Sequence, residues 1–60
     1  MNSDNQLLTV EDVAKYLNVS VGTVRNLING GDLEAVRVGR SVRIRPEAVE
    51  AFLQPVTEVL

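Results

Sequence analysis

The sequence contains no cysteine, no histidine and no tryptophan, and its only aromatic residues are Tyr16 and Phe52. Without cysteine the fold has no disulfide to staple it, and without cysteine or histidine it has neither a thiolate nor an imidazole for metal binding, nucleophilic attack or proton transfer at neutral pH. The carboxylates Glu11, Asp12, Asp32, Glu34, Glu47 and Glu50 fall at helix starts and in a turn, where capping or solvation accounts for them. Accordingly no catalytic residue, metal ligand or cofactor site is expected, and the chain reads as a non-enzyme. Binders of RNA and of single strands stack bases on exposed aromatic rings, and two aromatics are too few for that. No apolar run approaches the roughly 20 residues of a membrane span, and Met1 to Gln6 lacks the basic and apolar regions of a signal peptide. These absences, with a cysteine-free composition suited to a reducing compartment, point to a soluble intracellular protein.

What is present is a short, apolar-rich chain of 60 residues, 45% of them hydrophobic. That length supports one domain, and at this size folding buries only about 60% of the surface that the unfolded chain exposes. The formal net charge of −2 and the pI of 4.8 argue at first sight against nucleic acid. Charge is unevenly placed, however. Residues 35 to 46 hold Arg37, Arg40, Arg43 and Arg45 and no acid, which is +4, whereas the remainder sets Lys15 and Arg25 against eight acids, which is −6. One face can therefore be strongly positive on an acidic molecule.

The apolar residues Val10, Val13, Ala14 and Leu17 recur at i, i+3, i+4 and i+7, the period of one helical face. Thr9 followed by Asp12 resembles a capping box, and Glu11 and Asp12 suit the positive end of the helix dipole. A first helix over 10–17 follows. Asn18 tolerates the left-handed conformation that ends helices, Val19 is expected to plug the turn, and Ser20 caps a second helix. Val21, Val24, Leu27 and Ile28 carry that helix to Gly30-Gly31. Two short helices joined by Asn18-Val19-Ser20 form a helix-turn-helix.

After Asp32 the period changes to two. Val36 and Val38 alternate with Arg37, and Val42 and Ile44 alternate with Arg43, which predicts two strands. A Gly39-Arg40-Ser41 loop would pair Val38 with Val42 and Val36 with Ile44, keeping apolar residues on one face and setting Arg37 opposite Arg43. A Gly39-Arg40 loop would mix the faces. Pro46 suits the first turn of a third helix, with Val49, Phe52 and Leu53 as its buried stripe, and Tyr16 reads as a half-buried packing residue. The expected fold class is thus α+β: a small winged helix-turn-helix of three short helices and a two-stranded antiparallel hairpin, in the order α-α-β-β-α. Residues 7–54 form the domain, with a disordered tail at 1–6 and a second tail at 55–60.

In a helix-turn-helix the second helix enters the major groove with its N-terminal residues nearest the bases. Thr23, Arg25 and Asn26 are expected to face away from the core, where Arg suits guanine, Asn suits adenine, and Thr can hydrogen-bond or touch a thymine methyl. Ser20 and Gly22 complete this candidate DNA-binding set on the second helix. Gly22 has two readings: close packing of the second helix on the first, or close approach of a phosphate to the helix N-terminus. In the hairpin, Arg37, Arg40, Arg43 and Arg45 are candidate phosphate contacts, because like charges facing each other across strands destabilise a domain unless something neutralises them. Val56, Val59 and Leu60 are apolar residues without a core position and are candidate partner contacts.

Leu8-Thr9-Val10-Glu11-Asp12-Val13-Ala14, Leu17-Asn18-Val19-Ser20 with Thr23-Val24-Arg25, Gly31 through Arg40, and Val42-Arg43-Ile44 together resemble the excisionase-type, MerR-like winged-helix family. The resemblance covers about residues 7 to 54. It implies a protein of the bacterial host cytoplasm that binds repeated sites on double-stranded DNA beside neighbouring copies of itself. Such a protein bends the duplex and helps a tyrosine-type integrase excise a prophage, and it acts without membrane or small-molecule ligand. MerR-type activators usually attach an effector segment after the DNA-binding domain, and the short remainder after the third helix favours the excisionase. A small transcriptional regulator is the alternative, and a phage protein-interaction module without DNA affinity is the third reading.

Overall fold

The computed structural model describes residues 6–54. Its elements are α1 (Val10–Leu17), α2 (Val21–Asn29), β1 (Val36–Val38), β2 (Ser41–Arg43) and α3 (Pro46–Phe52), the order expected of a small winged helix-turn-helix. The first helix starts at a complete capping box. The Asp12 amide donates to Thr9 Oγ1 at 3.0 Å, and the Thr9 amide donates to Asp12 Oδ2 at 3.1 Å, so that two otherwise orphaned N–H groups are satisfied. Asn18 ends the helix at φ 61°, in the left-handed region that its short polar side chain tolerates. Ser20 opens α2, its Oγ accepting from the Thr23 amide at 3.1 Å.

The chain leaves α2 through Gly30 and turns at Gly31, where φ is 86°. Both the Asp32 and the Leu33 amides then donate back to the Leu27 carbonyl, at 2.9 and 3.1 Å. That reversal drops Leu33 into the centre of the molecule. The core consists of Val10, Val13 and Ala14 from α1, Val24 from α2, Leu33, Ile44 and, from α3, Val49. Leu33 lies in no periodic segment, so sequence periodicity gave it no place.

The wing departs from the expected register. Val36 pairs with Arg43, Arg37 with Val42, and Val38 with Ser41, so the loop is Gly39-Arg40 and Arg37 does not face Arg43. Gly39 has φ 61° while Arg40 keeps a negative φ, the sign pattern of a two-residue type II′ turn with glycine at its first central position. Turn chemistry prevails over side-chain alternation because neither face of β1 is buried: Arg37 and Val38 are exposed and Val36 is half-buried. Beyond β2 the Ile44 and Leu8 backbones exchange hydrogen bonds at 2.7 and 2.8 Å, which fixes the segment before α1 to the base of the wing. Four side chains are more exposed than expected. Tyr16 is 64% exposed and not half-buried, Val38 is 52% and Leu53 41% exposed, and Val19 at 40% is an incomplete plug. In α3 the apolar stripe therefore ends at the half-buried Phe52.

Candidate nucleic-acid interface

The N-terminus of α1, the side of α2 and the tip of the wing enclose an open groove of about 420 Å³. Its charged lining is Arg25 from α2, Arg40 and Arg43 from the wing, and Glu11 from α1, or +3 and −1 for a net +2; Asn29 adds a carboxamide, and Val10, Ile28 and Val42 contribute apolar surface. A net positive concavity on a molecule whose overall charge is −2 concentrates the field where an anionic chain could lie.

Arg25 is exposed on α2, reaching the groove from the flank, and Arg40 projects from the turn. Arg43 is half-buried, and its Nη1 donates to the Val42 carbonyl at 2.9 Å, which holds the guanidinium against the strand and leaves its other N–H groups available. The Asp12 carboxyl is held below its ordinary value first by the Thr9 amide, then by the Thr9 hydroxyl; desolvation opposes them, and the cations Lys15 and Arg43 add lesser lowering effects. Arg43 thus lies within electrostatic reach of the acidic start of α1.

The other expected residues divide. Thr23, Arg25 and Asn26 all point to solvent. The Thr23 hydroxyl is engaged, lying 2.9 Å from Ser20 Oγ, so these two side chains serve the helix cap. Gly22 does not make close packing of α2 on α1 possible: a Cβ there would meet only Ser20 Oγ, at 3.8 Å. The packing reading of this glycine is thereby overturned. Arg45 is the N-cap residue of α3 and lines a separate concavity with Glu34 and Glu47, away from the groove. Arg37 is exposed on β1 opposite Val42 and does not line the groove, so the facing-arginine argument for the wing falls with the register. Asn29 was missed. Its signal was its spacing, three residues after Asn26 and four after Arg25, on a helix that continues to Gly30. Val56, Val59 and Leu60 lie outside the described residues. Among the described residues no helix is long and apolar enough to cross a membrane, and no group of three candidate metal-ligating side chains occurs.

The elements and the groove between helix and wing define a small winged helix-turn-helix protein. Residues 7–55 match the family described as helix-turn-helix domain. Two Mycobacterium tuberculosis proteins named for DNA binding, from strains CDC 1551 / Oshkosh and ATCC 25618 / H37Rv, are each 51% identical to this chain over 49 residues, covering 82% of it. The chain spans 63% of the length of these relatives. An excisionase of Mycobacterium phage D29 is 40% identical over 52 residues, which cover 85% of this chain and 93% of the phage protein. The chain belongs to the helix-turn-helix domain family. The expected resemblance to an excisionase-type winged-helix family agrees with this membership and with the name of the phage relative.

Proposed function

We propose that this protein binds duplex DNA in a sequence-specific manner, bends it, and acts as an excisionase that promotes integrase-mediated excision of a prophage. The observation that carries the reading is the groove in which Arg25 of α2 meets Arg40 and Arg43 of the wing. A helix presented to the major groove and a basic hairpin beside it would together straddle one phosphate backbone, the helix with Arg25 reading bases and the wing arginines Arg40 and Arg43 neutralising phosphates. The relation to a phage protein named excisionase, over nearly the whole of both chains, supports the recombination role. Ser20, Gly22, Thr23, Arg25 and Asn26 form the helix part of the proposed contact. Arg40 and Arg43 form its wing part, with Arg37 and Arg45 at its periphery.

A module of this scale buries roughly 600 to 1,000 Å² of its surface on DNA, so useful specificity calls for several copies on repeated sites. Bending 20 to 30 base pairs by 40 to 90° costs about 1 to 6 kcal/mol, which contacts between the added copies and the curved duplex would offset. The test is a purified system containing an integrase and its attachment-site DNA. Stepwise cooperative shifts, increasing bend and integrase-dependent excision are expected. Binding as one two-fold dimer on an inverted repeat, with no stimulation of excision, would replace this reading with that of a small transcriptional regulator. The two relatives at 51% identity are named for DNA binding and not for excision, which is the observation that keeps this second reading.

A further inference from the structure

The outward face of α2 carries a pattern that the helix cap does not explain, and it runs from Gly22 and Asn26 to Asn29 at the edge of the groove. At about 100° per residue, Gly22, Asn26 and Asn29 fall roughly 140 to 200° around the axis from the fully buried Val24, whereas Thr23 and Arg25 stand at about 100° to either side. The stripe that projects furthest from the core is therefore glycine, asparagine, asparagine. All three are exposed. Neither carboxamide takes part in a hydrogen bond with a described residue, whereas the neighbouring Thr23 and Ser20 hydroxyls are bound to each other. Nor does Asn29 serve the end of the helix: Gly30 is its C-cap, and the left-handed turn that follows is made by Gly31.

We infer that Asn26 and Asn29 read two adjacent A·T base pairs in the major groove, so that the DNA site of this protein carries adenines at consecutive positions. The inference rests on the proposal that the protein binds duplex DNA through α2. A carboxamide offers one acceptor and two donors in the arrangement that matches adenine N6 and N7, and no other base presents that pair in the major groove. Three residues of helix advance about 4.5 Å, close to the roughly 3.4 Å rise between successive base pairs. Asparagine is short, and it reaches a base edge only if the helix comes close. Gly22, which has no side chain in the first turn of the same stripe, leaves the helix surface low enough for that approach.

The experiment selects binding sites from random duplex DNA with the wild-type protein and with Asn29→Ala. It then measures the affinity of the wild type for the selected site with 7-deazaadenine, which lacks the N7 acceptor, at each adenine in turn. Wild-type sites are expected to hold two consecutive adenines. Asn29→Ala should lose the preference at one of them, by about five- to 150-fold in discrimination, with affinity for random DNA and melting temperature little changed. The 7-deazaadenine replacement should weaken the wild-type complex at the same position without any change to the protein. Duplex binding with no adenine preference, or with a preference that Asn29→Ala leaves intact, overturns this inference while leaving DNA binding in place. No duplex affinity for the wild type at all overturns both.

Discussion

Gly22→Ala separates the stability of this domain from its proposed contact with DNA, because the two effects have opposite signs. The residue is the second of α2, exposed, with room for a methyl group: the nearest atom to an added Cβ is Ser20 Oγ at 3.8 Å, an ordinary van der Waals distance. Alanine would thus gain helix propensity and lose unfolded-state freedom without meeting an obstacle, a stabilisation of about 0.5 to 1 kcal/mol. In a domain of this size 1 kcal/mol moves the midpoint by about 4 to 8 °C, so thermal unfolding followed by circular dichroism should show a rise of roughly 2 to 8 °C. A first-turn position favours the lower half of that range. If the glycine is there so that DNA can come against the helix, the added methyl group intrudes on a packed contact at a cost of about 1 kcal/mol or more, or a roughly fivefold weaker Kd by fluorescence anisotropy. A higher midpoint with unchanged affinity would refute the close-approach argument. A lower midpoint would refute the open space around Gly22 on which it depends.

Leu33→Ala should remove about 2 to 5 kcal/mol through the cavity left in the core, enough to unfold much of a domain this small, and calorimetry without DNA measures it; a loss below 1 kcal/mol would show that the Leu27 carbonyl reversal does not fix Leu33 in place. Asp12 has a folded-state pKa below its ordinary 3.8, so its cap stabilises the fold above that value and the contribution disappears as pH falls through the lowered pKa. Asp12→Asn should therefore melt below the wild type at neutral pH, with the two curves converging in acid, and a gap independent of pH would contradict the capping assignment. Arg25→Ala should cost about 1 to 3 kcal/mol on the specific site and much less on random DNA, whereas an equal loss on both would make Arg25 a phosphate contact.

The helices were legible because their signals are local. Val10, Val13, Ala14 and Leu17 mark one face, Thr9 with Asp12 marks the start, and Asn18 and Ser20 mark the turn; each is decided by residues within a few positions, and each is realised in the fold. The wing register was misread because alternation specifies register only when one face is buried, and three-residue strands with exposed Arg37 and Val38 leave the decision to the turn. Gly39 followed by Arg40 carried that signal as a glycine at the first central position of a two-residue hairpin. Leu33 and the Leu8–Ile44 bridge depend on where the chain returns in space, which no local pattern encodes. Of the candidate site, the outward set on α2 could be read from helical period alone. The grouping of Arg25 with Arg40 and Arg43, and the separation of Arg45 from them, follow from the tertiary fold and the corrected hairpin.

The central claim is that the basic groove between α2 and the wing binds the DNA backbone, and the salt dependence of duplex affinity tests it most directly. Each phosphate neutralised on B-DNA contributes about 0.9 to the slope of log K against log salt. With Arg40 and Arg43 on phosphates and Arg25 on a base the slope should be about −1.8, a roughly 12-fold loss of affinity between 50 and 200 mM salt. Replacing Arg40 and Arg43 together by alanine should reduce its magnitude by about 1.8, on specific and random duplexes alike. A wild-type protein with no duplex affinity at 50 mM salt, or a slope that the double replacement leaves unchanged, would contradict the account.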